Sequence, residues 1–202
     1  MEIDDETRCD HWYLEAHDRC FYFGHYTPKK YIKGDVWSHS PTNKLIYNLK
    51  KPPGARWQKY KTQAEQKVAR LLADHNSFQD YIFVPVPPSK QKGHPEYDDR
   101  MIRILHYLRK LRPEVQFLEL VRQTQSLSPF HVAGARLPPK DLVNYYQIDD
   151  RGQPPLPPGA KLIIFDDVLT TGSHFKATQT KLKAHYPKSE IVGLFVARCE
   201  RP

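Results

Sequence analysis

Two adjacent carboxylates and a hydroxyl-rich turn follow one another inside the run LIIFDDVLTTGSH at residues 162–174. The carboxylates are Asp166 and Asp167; the turn is Thr170, Thr171, Gly172 and Ser173. Each residue type does something different. The three hydroxyls are donors, and Gly172 lets the backbone close around a tetrahedral anion. A helix starting after the turn leaves its first amide N–H groups without intrahelical acceptors, backed by the positive end of the helix dipole. Those donors would cradle a phosphate, and His174 would add a ring donor. Carboxylates repel phosphate but accept hydrogen bonds from sugar hydroxyls. Phosphate donors beside hydroxyl acceptors describe a site for ribose 5-phosphate.

The surrounding pattern supplies elements able to position such a site. Lys161–Phe165 reads as a buried strand, a helix follows from about Ser173 to Tyr186, and Ile191–Ala197 reads as a last strand. Upstream, Thr62 to Glu65 (TQAE) forms a capping box ahead of a helix with Ala64, Val68, Leu71 and Leu72 on one face. Tyr81–Val86 is a short apolar strand stopped by Pro87 and Pro88. Pro95 suits a first helical turn, and Met101, Ile104, Leu105 and Leu108 keep helical spacing up to Pro113. Phe117–Val121 reads as another strand, and residues 122–140 as a long loop of the kind that serves as a lid. Apolar strands alternating with helices predict an α/β fold, a mostly parallel twisted sheet with helices on both faces. In such sheets ligands bind beyond the carboxyl ends of the strands, where the 166–173 segment falls. Residues 1–60 hold eleven of the 24 aromatic residues and no helical period. They read as a small N-terminal hood on a core of residues 61–202.

Composition narrows the classes. At 202 residues, 39% hydrophobic and 27% charged, the chain is globular. No apolar run approaches the roughly 20 residues that cross a bilayer, so no membrane partner is expected. The acidic start MEIDDETRCD is unlike a secretory signal, which points to the cytoplasm. Three cysteines are too few for a disulfide scaffold. A net charge of +8 favours anionic partners: phosphates, nucleotides or nucleic acid. Eight Lys or Arg between Lys44 and Arg70 face the single Glu65. Cys9, His11, His17 and Cys20 are soft ligands, but their spacing fits no common zinc finger, and no stoichiometric zinc is expected.

The run LIIFDDVLTTGSH resembles the phosphoribosyl-pyrophosphate motif of type I phosphoribosyltransferases. LIYNLKK (Leu45 to Lys51) and VPVPPSKQK (Val84 to Lys92) are similar to segments of the ComF-like, competence-associated group of that family. The resemblance implies that Asp166 and Asp167 meet the ribose at the reacting centre, and that Thr170, Thr171, Gly172 and Ser173 hold the 5-phosphate. His174 stands where the family usually has Thr. Ser89, Lys90 and Lys92, after a strand, would grip the pyrophosphate, with Lys50 or Lys51 reaching the same group. Arg122 and Arg136 are candidate lid cations. The implied reaction moves a phosphoribosyl group to a nitrogen acceptor and releases pyrophosphate, with Mg2+ bound alongside it. Two departures stand out. GHPEYDDR (residues 93–100) replaces the family's Arg-Gly-Phe-Asn stretch, and its N-terminal zinc ribbon is not recognisable. They keep an alternative open: a non-catalytic sensor of phosphoribosyl pyrophosphate or nucleotides, or an accessory of nucleic-acid uptake.

Overall fold

The computed structural model describes residues 1–36, 38–75, 78–127 and 137–201. In chain order its elements are α1 (Asp5–Arg8), β1 (Cys20–Tyr26), α2 (Pro41–Leu49), α3 (Ala55–Ala73), β2 (Ile82–Pro85), α4 (Arg100–Leu111), β3 (Gln116–Phe117) and β4 (Val121–Gln123). They continue with α5 (Pro139–Leu142), β5 (Tyr146–Ile148), β6 (Lys161–Leu169), α6 (Ser173–His185) and β7 (Glu190–Cys199). Five strands make one all-parallel sheet in the order β1-β7-β6-β2-β3, and β4 pairs with β5 as a separate antiparallel ribbon.

The apolar run of β6 explains why both faces of the sheet are covered. Successive side chains alternate across a strand. Leu162 and Ile164 pack with Phe175, Ala177 and Leu182 of α6 on one face. Ile163, Phe165 and Val168 pack with Ile46 and Leu49 of α2, Val68 and Leu72 of α3, and Ile104, Leu105 and Leu108 of α4 on the other. A strand buried on both sides reads as a continuous apolar stretch, as this one does.

The connections fix where a ligand can sit. From β2, α4 leads outward to β3; from β6, α6 leads outward the other way to β7. Right-handed crossovers in opposite directions require helices on opposite faces, and α4 and α6 obey this. The direction reverses between β2 and β6. The crevice beyond their carboxyl ends is therefore the topological switch point.

Several expected boundaries move. The residue-60 boundary falls inside α3, and Cys20–Tyr26 pairs in parallel with β7 instead of standing apart in a hood. Tyr22 is buried against one face, whereas Phe21 and Phe23 pack on the other, so these aromatics serve the sheet. The helix expected to start at Thr62 begins at Ala55; Thr62 lies mid-helix and its hydroxyl accepts from Gln58. The TQAE box fails because Glu65 is fully buried and bonded to Arg103. Pro95 precedes α4, which starts at Arg100. The expected strand at 117–121 divides between β3 and β4. Its successor loop leaves from β4 and returns through α5 to β5. Arg136 lies outside the described residues.

Candidate functional site

At the switch point a cavity of about 240 Å³ opens between the ends of β2 and β6. Lys50, Ser89, Asp98, Arg100, Asp166, Asp167, Thr170, Gly172 and His174 are in its wall. Most of the run 166–174 and the distant Lys50 and Ser89 thus meet in one place.

The carboxylates differ from the solvated, fully ionised pair expected from the sequence. β6 continues past them, pairing with β7 as far as Leu169, so both lie within the strand. Asp167 is buried and held on both oxygens: Lys50 Nζ lies 3.2 Å from Oδ1, and Arg100 donates to Oδ2 from Nε at 2.9 Å and from Nη2 at 2.8 Å. Burial alone would raise its pKa, but Lys50 and Arg100 outweigh that and hold the carboxyl well below the usual carboxylate range. Asp166 is half-buried, and its Oδ1 accepts the Asp167 N–H at 2.8 Å. Desolvation and the adjacent Asp167 charge push its carboxyl up to about 7. The pair therefore shares its titration, with the proton on Asp166. Among the described residues, Asp166 Oδ2 is the one oxygen of the pair without a hydrogen bond.

Behind the carboxylates runs a buried chain of charges. Arg100 Nη1 meets Asp98 Oδ2 at 2.5 Å, and the same oxygen accepts from Lys61 Nζ at 2.7 Å. Lys61 is 1% exposed; its ammonium also donates to the carbonyls of Leu49 at 2.7 Å and Lys51 at 2.8 Å. Those carbonyls flank Lys50, so the chain closes on itself: Lys61, the end of α2, Lys50, Asp167, Arg100, Asp98 and back. Arg103 adds Glu65 at 2.7 Å and Asp98 at 3.1 Å. Each charge named here meets an opposite charge, as burial demands, although Glu65 Oε2 accepts no hydrogen bond among the described residues.

The turn after β6 is only partly the cradle its sequence suggests. Gly172 has φ +87°, the left-handed region, and a Cβ there would come within 3.1 Å of the Leu14 side chain. As a glycine it gives α6 no side-chain cap, and the Ser173 N–H donates to the Thr171 hydroxyl at 3.4 Å, so an anion here would meet the amides that follow it in the first turn. Thr170, Gly172 and His174 line the cavity. Thr171 and Ser173 do not. Both are buried, the Thr171 hydroxyl donating to Ser173 at 3.2 Å and the Ser173 hydroxyl to the Leu137 carbonyl at 2.9 Å. They hold the turn in shape.

Neither a scan against protein-family models nor a search of curated proteins returns a match.

The N-terminal segment braces this turn from outside. His11, fully buried, bonds through Nδ1 to the Thr170 carbonyl; burial, the largest influence, lowers its pKa and keeps the ring neutral. The Tyr13 N–H donates to the Thr171 carbonyl at 3.0 Å. Lys176 of α6 meets Glu15 at 2.9 Å and Asp18 at 2.8 Å.

Lys90 and Lys92 turn away from the carboxylates. They line a second cavity of about 640 Å³, which shares Val86, Pro87 and Pro88 with the first and is lined also by Arg122 and Arg151. Lys90 lies 3.6 Å from Glu96 and Lys92 3.2 Å from Glu119, while Arg122 donates to Gln147 at 2.7 Å. Ser89 alone of the three expected pyrophosphate contacts reaches the first cavity. The four zinc candidates are dispersed: Cys9 is exposed, Cys20 is buried in β1 and His11 faces Thr170. Among the described residues, the one cluster with metal-ligating geometry is Glu15, His17 and Asp18, and Asp18 is already tied to Lys176. No described helix is long and apolar enough to cross a membrane.

Sequence reasoning missed Arg100, Asp98 and Lys61. A signal existed for the last: Lys61 and Glu65 fall on the same helical face as Ala64, Val68 and Leu72.

Proposed function

We propose that this cavity binds 5-phosphoribosyl pyrophosphate and that the protein is a type I phosphoribosyltransferase-like enzyme transferring the phosphoribosyl group to a nitrogen acceptor. One observation carries the reading: the start of α6 and the Asp166–Asp167 pair open onto a single cavity at the switch point. Phosphate donors and a hydroxyl acceptor thus stand side by side. The first amides of α6 would take the 5-phosphate. Asp166 Oδ2 would accept from a ribose hydroxyl. Asp167, kept ionised by Lys50 and Arg100, places a fixed negative charge near the carbon that becomes positive as the C–O bond to pyrophosphate breaks. Mg2+ enters with the pyrophosphate and needs no protein cage; the open oxygen of Asp166 suits a hard cation. The larger neighbouring cavity gives the acceptor room. Three free thiols suit a reducing compartment, and we place the protein in the cytoplasm.

A second reading draws on the Arg100 clamp. Both oxygens of Asp167 are taken, which leaves one carboxylate oxygen for the sugar. A site so restricted suits a protein that senses phosphoribosyl pyrophosphate or nucleotides without turning it over. Incubation with phosphoribosyl pyrophosphate, magnesium and pooled bases decides between the two. The enzyme releases pyrophosphate in a base-dependent way and yields a covalent nucleotide; tight binding without release across the panel favours the sensor.

A further inference from the structure

We propose that His11 is a positioning residue for the cavity: from behind the 170–172 turn it orients the peptide groups that face the ligand, an inference that rests on the reading of the cavity above. The observation behind it is a buried ring with half its hydrogen-bonding capacity unused. His11 is fully buried, and its Nε2 has no hydrogen-bond partner among the described residues. Buried polar groups are nearly always satisfied, so an orphaned nitrogen needs a reason. A leucine or phenylalanine would fill such a place without that cost. What the imidazole adds is the bond from Nδ1 to the Thr170 carbonyl.

The partner locates the proton. A carbonyl oxygen only accepts, so Nδ1 carries the hydrogen and the neutral ring is left with a bare Nε2. Burial, the largest influence on the ring, lowers its pKa and favours that neutral form. The bond acts on a peptide group and not on a side chain. In a trans peptide the C=O and the following N–H point in opposite directions. His11 draws the Thr170 carbonyl towards the segment before β1 and so turns the Thr171 N–H away from it. The Tyr13 N–H, donating to the Thr171 carbonyl at 3.0 Å, turns the Gly172 N–H in the same way. The cavity lies on that far side: Thr170 and Gly172 are in its described lining, and no residue of 1–19 is. Successive N–H groups on one side of a turn make a concave donor surface for a ligand oxygen. His11 is itself held from both directions. Asp10 pairs with Arg198 of β7 at 3.0 Å, and Asp18 accepts from Lys176 and Gln179 of α6, each at 2.8 Å. The segment is thereby pinned to the strand beside β6 and to the helix after the turn.

The test uses the full chain and two readouts. In protein labelled with nitrogen-15, at about pH 8 where an ordinary imidazole is neutral, long-range proton–nitrogen correlations report which His11 nitrogen is protonated. Nδ1 is expected. Calorimetric titration with ribose 5-phosphate then compares the wild type with three variants, at a temperature where circular dichroism shows them folded. His11→Phe fills the space without a donor. His11→Asn places an amide N–H near the position of Nδ1, and His11→Gln places one near Nε2 instead. His11→Phe and His11→Gln should weaken binding about tenfold, the upper value of one neutral hydrogen bond. His11→Asn should recover most of the loss. A residue that served stability alone would lower the melting temperature and leave the affinity of the folded protein unchanged. A proton on Nε2 in the wild type overturns the proposal without any variant. Wild-type affinity in His11→Phe or His11→Gln overturns it while the cavity reading stands, and so does an Asn variant as weak as the Gln variant. A wild type with the proton on Nδ1 that binds no ribose 5-phosphate overturns the cavity reading and the positioning role with it.

Discussion

The two walls of the cavity were built in different ways. One is a single continuous stretch, from Asp166 within β6 to His174 in the first turn of α6. The other is assembled from residues far apart: Lys50 after α2, and Asp98 and Arg100 before and at the start of α4, with Lys61 of α3 bracing them from behind. The continuous wall holds its shape through short-range bonds such as Thr171 to Ser173. The assembled wall is joined over long range, by the Lys61 ammonium and by pairs such as Arg103 with Glu65. The lesson is that the groups of the motif are local, whereas the charges that set their protonation come from across the fold. Changes in the two walls should therefore have different consequences.

The largest effect is expected from the assembled wall. Lys61→Met leaves two carbonyls and Asp98 short of a donor. Removing one partner of a buried ion pair costs about 3–5 kcal/mol; Asp98 keeps Arg100 and Arg103, so the loss should lie near 3 kcal/mol. Urea titration would show a lower midpoint with an unchanged slope. A midpoint within error of the wild type would mean the chain of charges is not what holds α2, α3 and α4 together at the site.

Next comes the ligand. Phosphoribosyl pyrophosphate with magnesium at a hundred times its dissociation constant should stabilise the protein by about 2.7 kcal/mol, a rise of a few degrees in melting temperature. Ribose 5-phosphate, which lacks the pyrophosphate proposed to meet Lys50 and Ser89, should act more weakly. Equal shifts from the two would show that only the continuous wall binds.

How much of this was legible follows the same division. The strands Lys161–Phe165 and Ile191–Ala197 and the helix from Ser173 were readable because burial on both sheet faces leaves an uninterrupted apolar run. Asp166, Asp167, Gly172 and His174 were readable because a motif at consecutive positions needs no knowledge of the fold. Thr171 and Ser173 were assigned by type, and type does not say which way a hydroxyl turns. Lys90 and Lys92 were placed by type likewise: the loop follows β2 as expected, but the lysines line the second cavity. Lys61 was passed over because lysine is almost never fully buried unless paired, and its partners lie 10, 12 and 37 residues away. β1 was missed since an edge strand rich in aromatics shows no long aliphatic run.

A third expectation tests the carboxylates against their supports. Asp→Asn at both 166 and 167 preserves shape but replaces acceptors with amides. Affinity for phosphoribosyl pyrophosphate should fall at least about tenfold, each charge-assisted bond being worth about 1.5–3 kcal/mol. In an enzyme, turnover should fall further than affinity, because the lost charge acts mainly in the transition state. Calorimetry beside a pyrophosphate-release assay separates the two losses, and unchanged binding would remove the ribose from this wall.

The smallest effect, and the sharpest in sign, belongs to Asp166 alone. Its carboxyl is pushed up to about 7 in the folded protein from 3.8. Between these values the folded state binds more protons than the unfolded one, so stability falls as pH rises through the window. The direction is opposite to that of Asp167, whose lowered carboxyl contributes stability above 3.8 that is lost only in stronger acid. From pH of about 5 to about 8 only the Asp166 contribution changes. Asp166 is half-exposed to the cavity, so solvent screening keeps the effect below those above. Asp166→Asn removes it. The variant should match the wild type near the acid end of the window and exceed it in melting temperature near the alkaline end. Other titrating groups cancel in the difference between the two proteins. A constant difference across the window would mean that Asp166 ionises as an ordinary surface carboxylate. In that case the charges of the assembled wall would not reach the continuous one.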